Sequence, residues 1–511
     1  MIAAESALVL GSATGVVSTP AGAETWRLTP SVSVRETYTD NANLASSGQA
    51  QSSLVTTLGA NLGIAGNGAR VQLNGNLGVS GNYYAGDYNT NSGSQNIFVN
   101  ANLLGSVEAI EKFFFIEGAA NVSQSYLSPF APTPASNIGV TNNRYTSVGF
   151  RLSPYIRGVF PGGTTYLLRS DSIWSNLGQV QNAPGSTSSF TQVWSGRLDS
   201  PIRTFGWSAD ASATTTSFKE QERNTSSEIV RGYLNWRPDP QVLVYAIGGY
   251  EWNNYYLTQS DNIVYGGGGE WRPTERTLVK GNWQERFFGS SYLAQVTHRN
   301  PFTAFDVNAS RDISTYPQQL FAAPAGGNIA GLLNALFTTR IPDPVQRAQA
   351  VQQFLATSGL PATLQSPLNY YIQQVILYEQ VSATFTLVGV RNSTAFTVYN
   401  RKQEAISGGT GAALPPQLSF GQNNTQRGGA ITYSHQLTPF TSLNATATRY
   451  ETVATAPLAG KSTTNAFLVS AGTQLSPKTD GVTGLTYTDF DSDVTNDYTA
   501  FTVYVGLNHR F

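Results

Sequence analysis

Cysteine is absent from all 511 residues. That excludes disulfides, thiolate metal sites and c-type haem attachment together. It also suits a chain that crosses an oxidising compartment unfolded, where stray thiols cross-link. Histidine is nearly absent: His298, His435 and His509 are the only three and lie far apart, so no histidine-based metal cluster is expected. Charge is scarce as well. Asp, Glu, Lys and Arg make up 12% of the chain, against about 25% in soluble domains. A net charge of -1 leaves no electrostatic footprint for nucleic acid. No apolar run approaches the ~20 residues that a membrane-spanning helix needs. Neither a cofactor nor a resident metal is expected from this inventory.

What is plentiful is glycine, tyrosine and phenylalanine, at 49, 25 and 25 residues, the composition of strands and tight turns. The last stretch, Asn496 to Phe511, shows why. Phe501, Val503, Val505, Leu507, His509 and Phe511 occupy one parity, and Thr502, Tyr504, Gly506, Asn508 and Arg510 the other. A period of two with one oily and one wet face is a strand between two solvents. Tyr504, Gly506, His509 and Phe511 also match the polar-x-Gly-x-x-apolar-x-Phe signal by which the assembly machinery recognises outer-membrane barrels, with His509 a departure at an apolar position.

The same alternation recurs along the chain. Val148, Phe150, Leu152 and Ile156 oppose Arg151, Ser153, Tyr155 and Arg157; Val381, Ala383, Phe385 and Leu387 oppose Ser382, Thr384 and Thr386. Such strands number about 22, with 20 to 24 compatible, separated alternately by short turns and longer polar loops, which is the pattern of an antiparallel transmembrane β-barrel. Only a closed sheet removes its edges, and lipid tolerates no open ones. Pro-containing turns such as Asp199-Ser200-Pro201 and Gln474-Leu475-Ser476-Pro477 mark where strands stop, and Leu152-Ser153-Pro154 precedes the Pro161-Gly162-Gly163 turn in the strand Tyr145 to Gly158. Trp26, Trp207, Trp236 and Trp271 fall beside short turns and Trp174 and Trp252 beside loops, as two interfacial belts would place them. Trp194 and Trp283 fall in mid-strand. The run Gly266 to Gly269 lies in a strand with no helix after it, so it reads as close strand packing rather than a phosphate cradle. Residues 1–23 resemble a truncated signal peptide, with a weak apolar core from Ala7 to Val17 and Ala21-Gly22-Ala23 as cleavage site; the barrel then spans 24–511, opening at Trp26 with no plug domain ahead of it in this sequence.

One segment, 315–376, breaks the rhythm with helical signals. Asn328 can cap a short helix reaching Phe337. Asp343-Pro344 supplies an N-cap and an N1 proline for a second helix, which stops at Gly359. Ser366-Pro367 repeats the device before Leu368 to Val375. By strand parity this insertion leaves from the external side, and its apolar faces need a surface to bury on. It is expected to fold over or into the pore mouth as a cap or plug.

Pro30 to Asn41, reading PSVSVRETYTDN, resembles the opening of a family of outer-membrane β-barrels associated with the PEP-CTERM protein-sorting and exopolysaccharide system, close to the β-barrel porins of type 2. Asp343 to Pro361 and the Gly389-Val390-Arg391-Asn392 turn are similar to that family too. The resemblance implies integral location in the Gram-negative outer membrane and a large barrel. It carries no catalytic residue over.

No Ser–His–Asp elbow, P-loop, Rossmann fingerprint or carboxylate–His motif is legible, so no enzyme is expected. Parity instead assigns a lumen lining: Arg35, Arg151, Tyr155, Arg169, Asp171, Asp210, Arg231, Tyr233, Tyr245, Glu251, Lys280, Arg286 and Asp306. Mixed charge with tyrosine suits weak, sliding contacts with a hydrophilic solute or an exopolysaccharide. The expected partners are outer-membrane lipid, the barrel-assembly machinery and that solute or polymer, with no nucleic acid. A structural scaffold or anchor with a closed lumen is the alternative, and a sheath around a multihaem electron wire a third candidate. The sequence leaves the oligomeric state open.

Overall fold

The computed structural model describes residues 25–88, 96–134, 136–178, 187–218, 223–255, 259–322, 327–358, 360–364, 375–406, 423–454 and 459–511. The segment 1–23 and the helix expected after Ser366-Pro367 lie outside them, apart from Val375.

Strands succeed one another along nearly the whole chain. They are β1 (Thr25–Thr39), β2 (Ser53–Asn67), β3 (Val71–Gly86), β4 (Ile97–Ile110), β5 (Phe114–Tyr126), β6 (Arg144–Val159), β7 (Thr165–Leu177) and β8 (Thr187–Asp199). Then come β9 (Phe205–Phe218), β10 (Arg223–Asp239), β11 (Val242–Asn254), β12 (Gln259–Thr274), β13 (Thr277–Arg286), β14 (Gly289–Arg299) and β15 (Thr303–Ser314). Three helices interrupt: α1 (Tyr316–Leu320), α2 (Ile329–Phe337) and α3 (Pro344–Ser358). The rest are β16 (Ile376–Val388), β17 (Asn392–Ala405), β18 (Asn424–Thr438), β19 (Thr441–Ala454), β20 (Gly460–Ser476), β21 (Thr479–Ser492) and β22 (Tyr498–Arg510).

The sheet has 22 strands, each antiparallel to its chain neighbours, and β1 pairs with β22 in the register Val34↔Leu507. It is therefore a closed barrel. The even count puts the start of β1 and the end of β22 at the end that carries turns such as 240–241, 275–276 and 477–478. The other end carries 40–52, 127–143 and 315–375. Short turns mark the periplasmic side and long loops the external side. A 14-residue strand such as β9 is about 46 Å long at ~3.3 Å per residue, and tilted by about 40° it crosses a ~30 Å hydrocarbon layer.

Register fixes which parity looks outward. Val34 on β1, Val503 and Val505 on β22 and Leu485 on β21 share the outer face, and all are exposed. All eight tryptophans lie on that face, none less than 42% exposed. Trp194 and Trp283, mid-strand by sequence, point outward like the others. A closed sheet with an oily exterior is stable only in lipid, and the chain is an integral outer-membrane β-barrel.

Pro154 does not end a strand, as the alternation from Val148 to Arg157 implies. It stands inside β6, whose pairing with β5 runs through it, while the ladder to β7 passes from Leu152↔Ser172 to Tyr155↔Arg169. The ring costs one rung on one side only, because a strand residue's N–H serves one neighbour at a time. The Gly266–Gly269 run does serve close approach. A Cβ at Gly266 would lie 2.1 Å from the Trp283 carbonyl, and one at Gly268 would strike the Tyr245 ring.

Candidate functional site: the lumen and its filling

The largest apolar cluster lies inside the barrel, on the insertion. Asn328 caps α2 by accepting from the Gly331 amide at 2.8 Å, and Asp343 caps α3 by accepting from the Gln346 amide at 2.8 Å. Both helices start where the capping residues and Pro344 predict. Ile329 and Leu333 of α2 and Val351 and Leu355 of α3 bury together with Leu360 and Leu364 against Ala395 of β17 and Ala430 of β18. Both alanines face inward. Their small side chains leave room for the helices against the wall.

The insertion goes deeper than the mouth at which the sequence placed it. Leu332 and Leu336 pack on Ala304, near the periplasmic start of β15. Arg299, the last residue of β14, donates to the Ala335 carbonyl at 3.0 Å and to Thr339 Oγ1 at 3.1 Å. Arg340 lies over the Phe302 ring in the β14–β15 turn. Higher up, the Gly327 amide donates to Thr384 Oγ1 at 2.8 Å, and Ser434 bonds to the Ser358 carbonyl. The segment thus enters from outside and reaches the inner end along β15–β18. Polar side chains cannot show this to a sequence reader, because Thr384 and Ser434 look like any wetted wall.

Among the described residues, two segments cross the external mouth. In α1, a single short turn that helical periodicity did not reveal, Tyr316 is 1% exposed; it shares a hydrogen bond of 2.9 Å with Ser147 and packs on Leu127 and Leu177. Gln319 accepts from Arg401 at 2.9 Å, so α1 ties β6 to β17. The β5–β6 loop, 127–143, comes from the other side. Tyr84 donates to the Ile138 carbonyl at 2.8 Å, Ser462 to that of Pro129 at 2.8 Å, and Thr133 meets Tyr450 at 2.9 Å. Leu127 and Tyr316 join the two covers.

The residues expected in the lumen occupy inward-facing register positions, and the structure groups most of them on the wall away from α2 and α3; Asp306, on β15, stands on the wall that the insertion lines. Arg169 pairs with Glu117 at 2.8 Å and Asp171 at 2.9 Å. Arg231 donates to Asp210 at 2.9 Å, and the Tyr233 hydroxyl donates to the same carboxylate at 2.6 Å. Tyr245 lies edge-on to Tyr233, their centroids 6.0 Å apart. Nearer the external end Arg286 bridges Glu251 at 2.8 Å and Asp312 at 2.9 Å. Asp306 accepts from Gln295 and Thr297, both at 3.0 Å. Lys280 shares the inward parity of β13 with Arg286. Arg35 is set apart on β1, 4.8 Å over the Tyr504 ring.

Sequence reasoning missed several members. Phe115 stacks on Tyr155 with centroids 5.0 Å apart and planes at 11°, and Arg157 lies 4.3 Å over Phe115. The run Phe113-Phe114-Phe115 hides its own alternation. Arg197, paired with Asp199 at 2.7 Å, was legible by parity alone. Of the terminal signal, Tyr504 and Gly506 face inward, Tyr504 with its ring over Gly484. His509 faces outward, 2.9 Å from Thr479 Oγ1 and edge-on to Phe511. Among the described residues no group of three His, Asp or Glu is arranged to hold a metal.

No protein-family model matches the chain, and no curated protein matches it. Solved structures similar to it include the siderophore receptor PirA from Pseudomonas aeruginosa, 12% identical with a TM-score of 0.43 over 95% of this chain and 81% of that one. PirA from Acinetobacter baumannii is 10% identical with a TM-score of 0.46 over 95% and 81%. A loop-deletion mutant of OmpT, an outer membrane protein of Vibrio cholerae, is 10% identical with a TM-score of 0.30 over 96% and 100%. Similarity at this level says nothing of ligand or activity.

Proposed function

We propose that this chain is a gated conduit, without catalytic activity, for a hydrophilic solute or an exopolysaccharide, with the insertion as its plug. One observation carries the reading. Two helices sit inside the lumen against β15–β18, while other strands keep partly exposed ion pairs and tyrosines on their inner face. Paired charges and aromatic rings offer many weak polar contacts and no single deep trap, as conduction requires. Service in a PEP-CTERM-associated exopolysaccharide system is part of the proposal and rests on the resemblance of Pro30 to Asn41.

A closed scaffold is the second reading, and the joint between Leu127, Tyr316 and Leu177 over the external mouth favours it. Planar-bilayer conductance separates the two. A conduit shows openings in the intact protein, and deletion of Gly327 to Pro361 raises the mean conductance several-fold. A scaffold stays silent in both forms. A fully open, steady trace from the intact protein would remove the plug from the account.

A further inference from the structure

We propose that the inner face of β6 from Arg151 to Arg157 is a binding track for an anionic sugar chain, one that carries carboxylates. The proposal deepens the conduit reading and rests on it for its physiological setting. The binding itself is separable.

On this wall the carboxylates are already satisfied: Glu117 and Asp171 face Arg169, Asp199 faces Arg197, and Asp210 faces Arg231. Arg151 and Arg157 stand on the same wall with no ion pair and no side-chain hydrogen bond among the described residues. Arginine stays protonated at any pH the cell offers, so this strand presents two uncompensated positive charges to the lumen. Arg151 Nε is buried without an acceptor, whereas its Nη groups are not buried, so the Nη edge is the one a ligand can reach.

Geometry supplies the second part. Arg151, Tyr155 and Arg157 share the inward parity of one strand, and the two arginines are about 20 Å apart at ~3.3 Å per residue. Each guanidinium rests on an aromatic face, Arg151 on Phe321 at 5.3 Å and Arg157 on Phe115 at 4.3 Å. Stacking occupies the flat face of the guanidinium and leaves its in-plane N–H fork free, which is the edge that takes a carboxylate in two parallel hydrogen bonds. Between them Tyr155 lies flat on Phe115 and carries Arg169 over its ring at 5.4 Å, so it offers the lumen a ring edge and a hydroxyl. Cation, tyrosine edge and cation in series match a chain of pyranose units, whose hydroxyls suit the tyrosine and whose carboxylates suit the arginines. A neutral sugar would use the ring and leave both arginines idle.

The test uses the full-length protein in planar bilayers, with penta-galacturonate and neutral maltopentaose as probes. The expected result is transient blockade by the galacturonate at a concentration at least tenfold lower than by maltopentaose. In the double variant Arg151→Gln, Arg157→Gln that advantage disappears, while blockade by the neutral sugar is retained. Equal blockade by the two sugars in the native protein, or an unchanged advantage in the double variant, overturns the proposal. Calorimetric titration of the same sugars into detergent-solubilised protein covers a silent channel. Selective galacturonate binding there keeps the track while removing the conduit, and absence of selective binding removes the track.

Discussion

Arg299 Nη1 donates to the carbonyl of Ala335 at 3.0 Å, joining the last residue of β14 to the C-terminal half of α2. The same side chain also reaches Thr339 Oγ1 at 3.1 Å and the Glu275 carbonyl at 3.3 Å, in the β12–β13 turn. Among the described residues it is a hydrogen-bonded tether of the insertion at the periplasmic end, beside the Arg340 contact with Phe302. Charge-assisted hydrogen bonds are worth about 1.5–3 kcal/mol each, so Arg299→Ala should weaken the closed state. Single-channel recording should show openings that are more frequent or longer than in the native protein. An identical open probability would leave Arg299 as a wall residue and no latch.

Leu333 is fully buried between α2, α3 and the barrel wall. Leu333→Ala should cost about 2–5 kcal/mol of packing, charged to the insertion and not to the strands. Limited proteolysis should then cut within 327–364, while the barrel keeps its heat-modifiable migration on gels. Loss of that migration would mean that the insertion supports the barrel itself.

Glu251 is wholly buried and accepts from Arg286 at 3.1 and 2.8 Å and from the Phe287 amide at 2.6 Å. Arg286→Met strands one buried carboxylate and should destabilise the barrel by about 3–5 kcal/mol. The double variant Arg286→Met, Glu251→Gln should recover most of the loss, because no buried charge is left unpaired; Asp312, the other partner, is 45% exposed and stays hydrated. Urea unfolding in detergent reads both. A double variant no better than the single one would assign the cost to packing.

Val503 and Asn100 test the two faces directly. Val503 lies on the outer parity and Asn100 on the inner. Val503→Arg should cost about 2–4 kcal/mol near the bilayer midplane, whereas Asn100→Arg meets water and should cost little. Reversed costs in a lipid-refolding titration would invert the barrel.

Phe511 continues the terminal strand, its amide donating to the Pro30 carbonyl at 3.1 Å. Its deletion should leave refolding in detergent intact and reduce the folded fraction assembled in cells several-fold. Equal loss in both settings would make Phe511 a packing residue and no signal.

The strands were legible because lipid and water impose a strict period of two. Parity alone put Arg169, Asp171 and Tyr155 on one face, and the β6–β7 register Tyr155↔Arg169 then brought them to a common wall. Asn328 and Asp343-Pro344 likewise announced α2 and α3, since capping is local. The partners were not legible. Nothing in Arg231 names Asp210, 21 residues away, because register between strands depends on loops whose length carries no pairing code. Phe115 was hidden in an aromatic run, and α1 is too short for helical periodicity to reveal.

The sequence by itself determined a closed, lipid-facing barrel of some 22 strands with a helical insertion, because alternation and the lack of any long apolar run leave lipid no other solution. Tertiary structure decided that the insertion descends to Arg299 and that the β5–β6 loop meets α1 over the mouth. Those contacts join segments such as Ser462 and Pro129, 333 residues apart. Their energies depend on shape across a lumen, which no local pattern encodes.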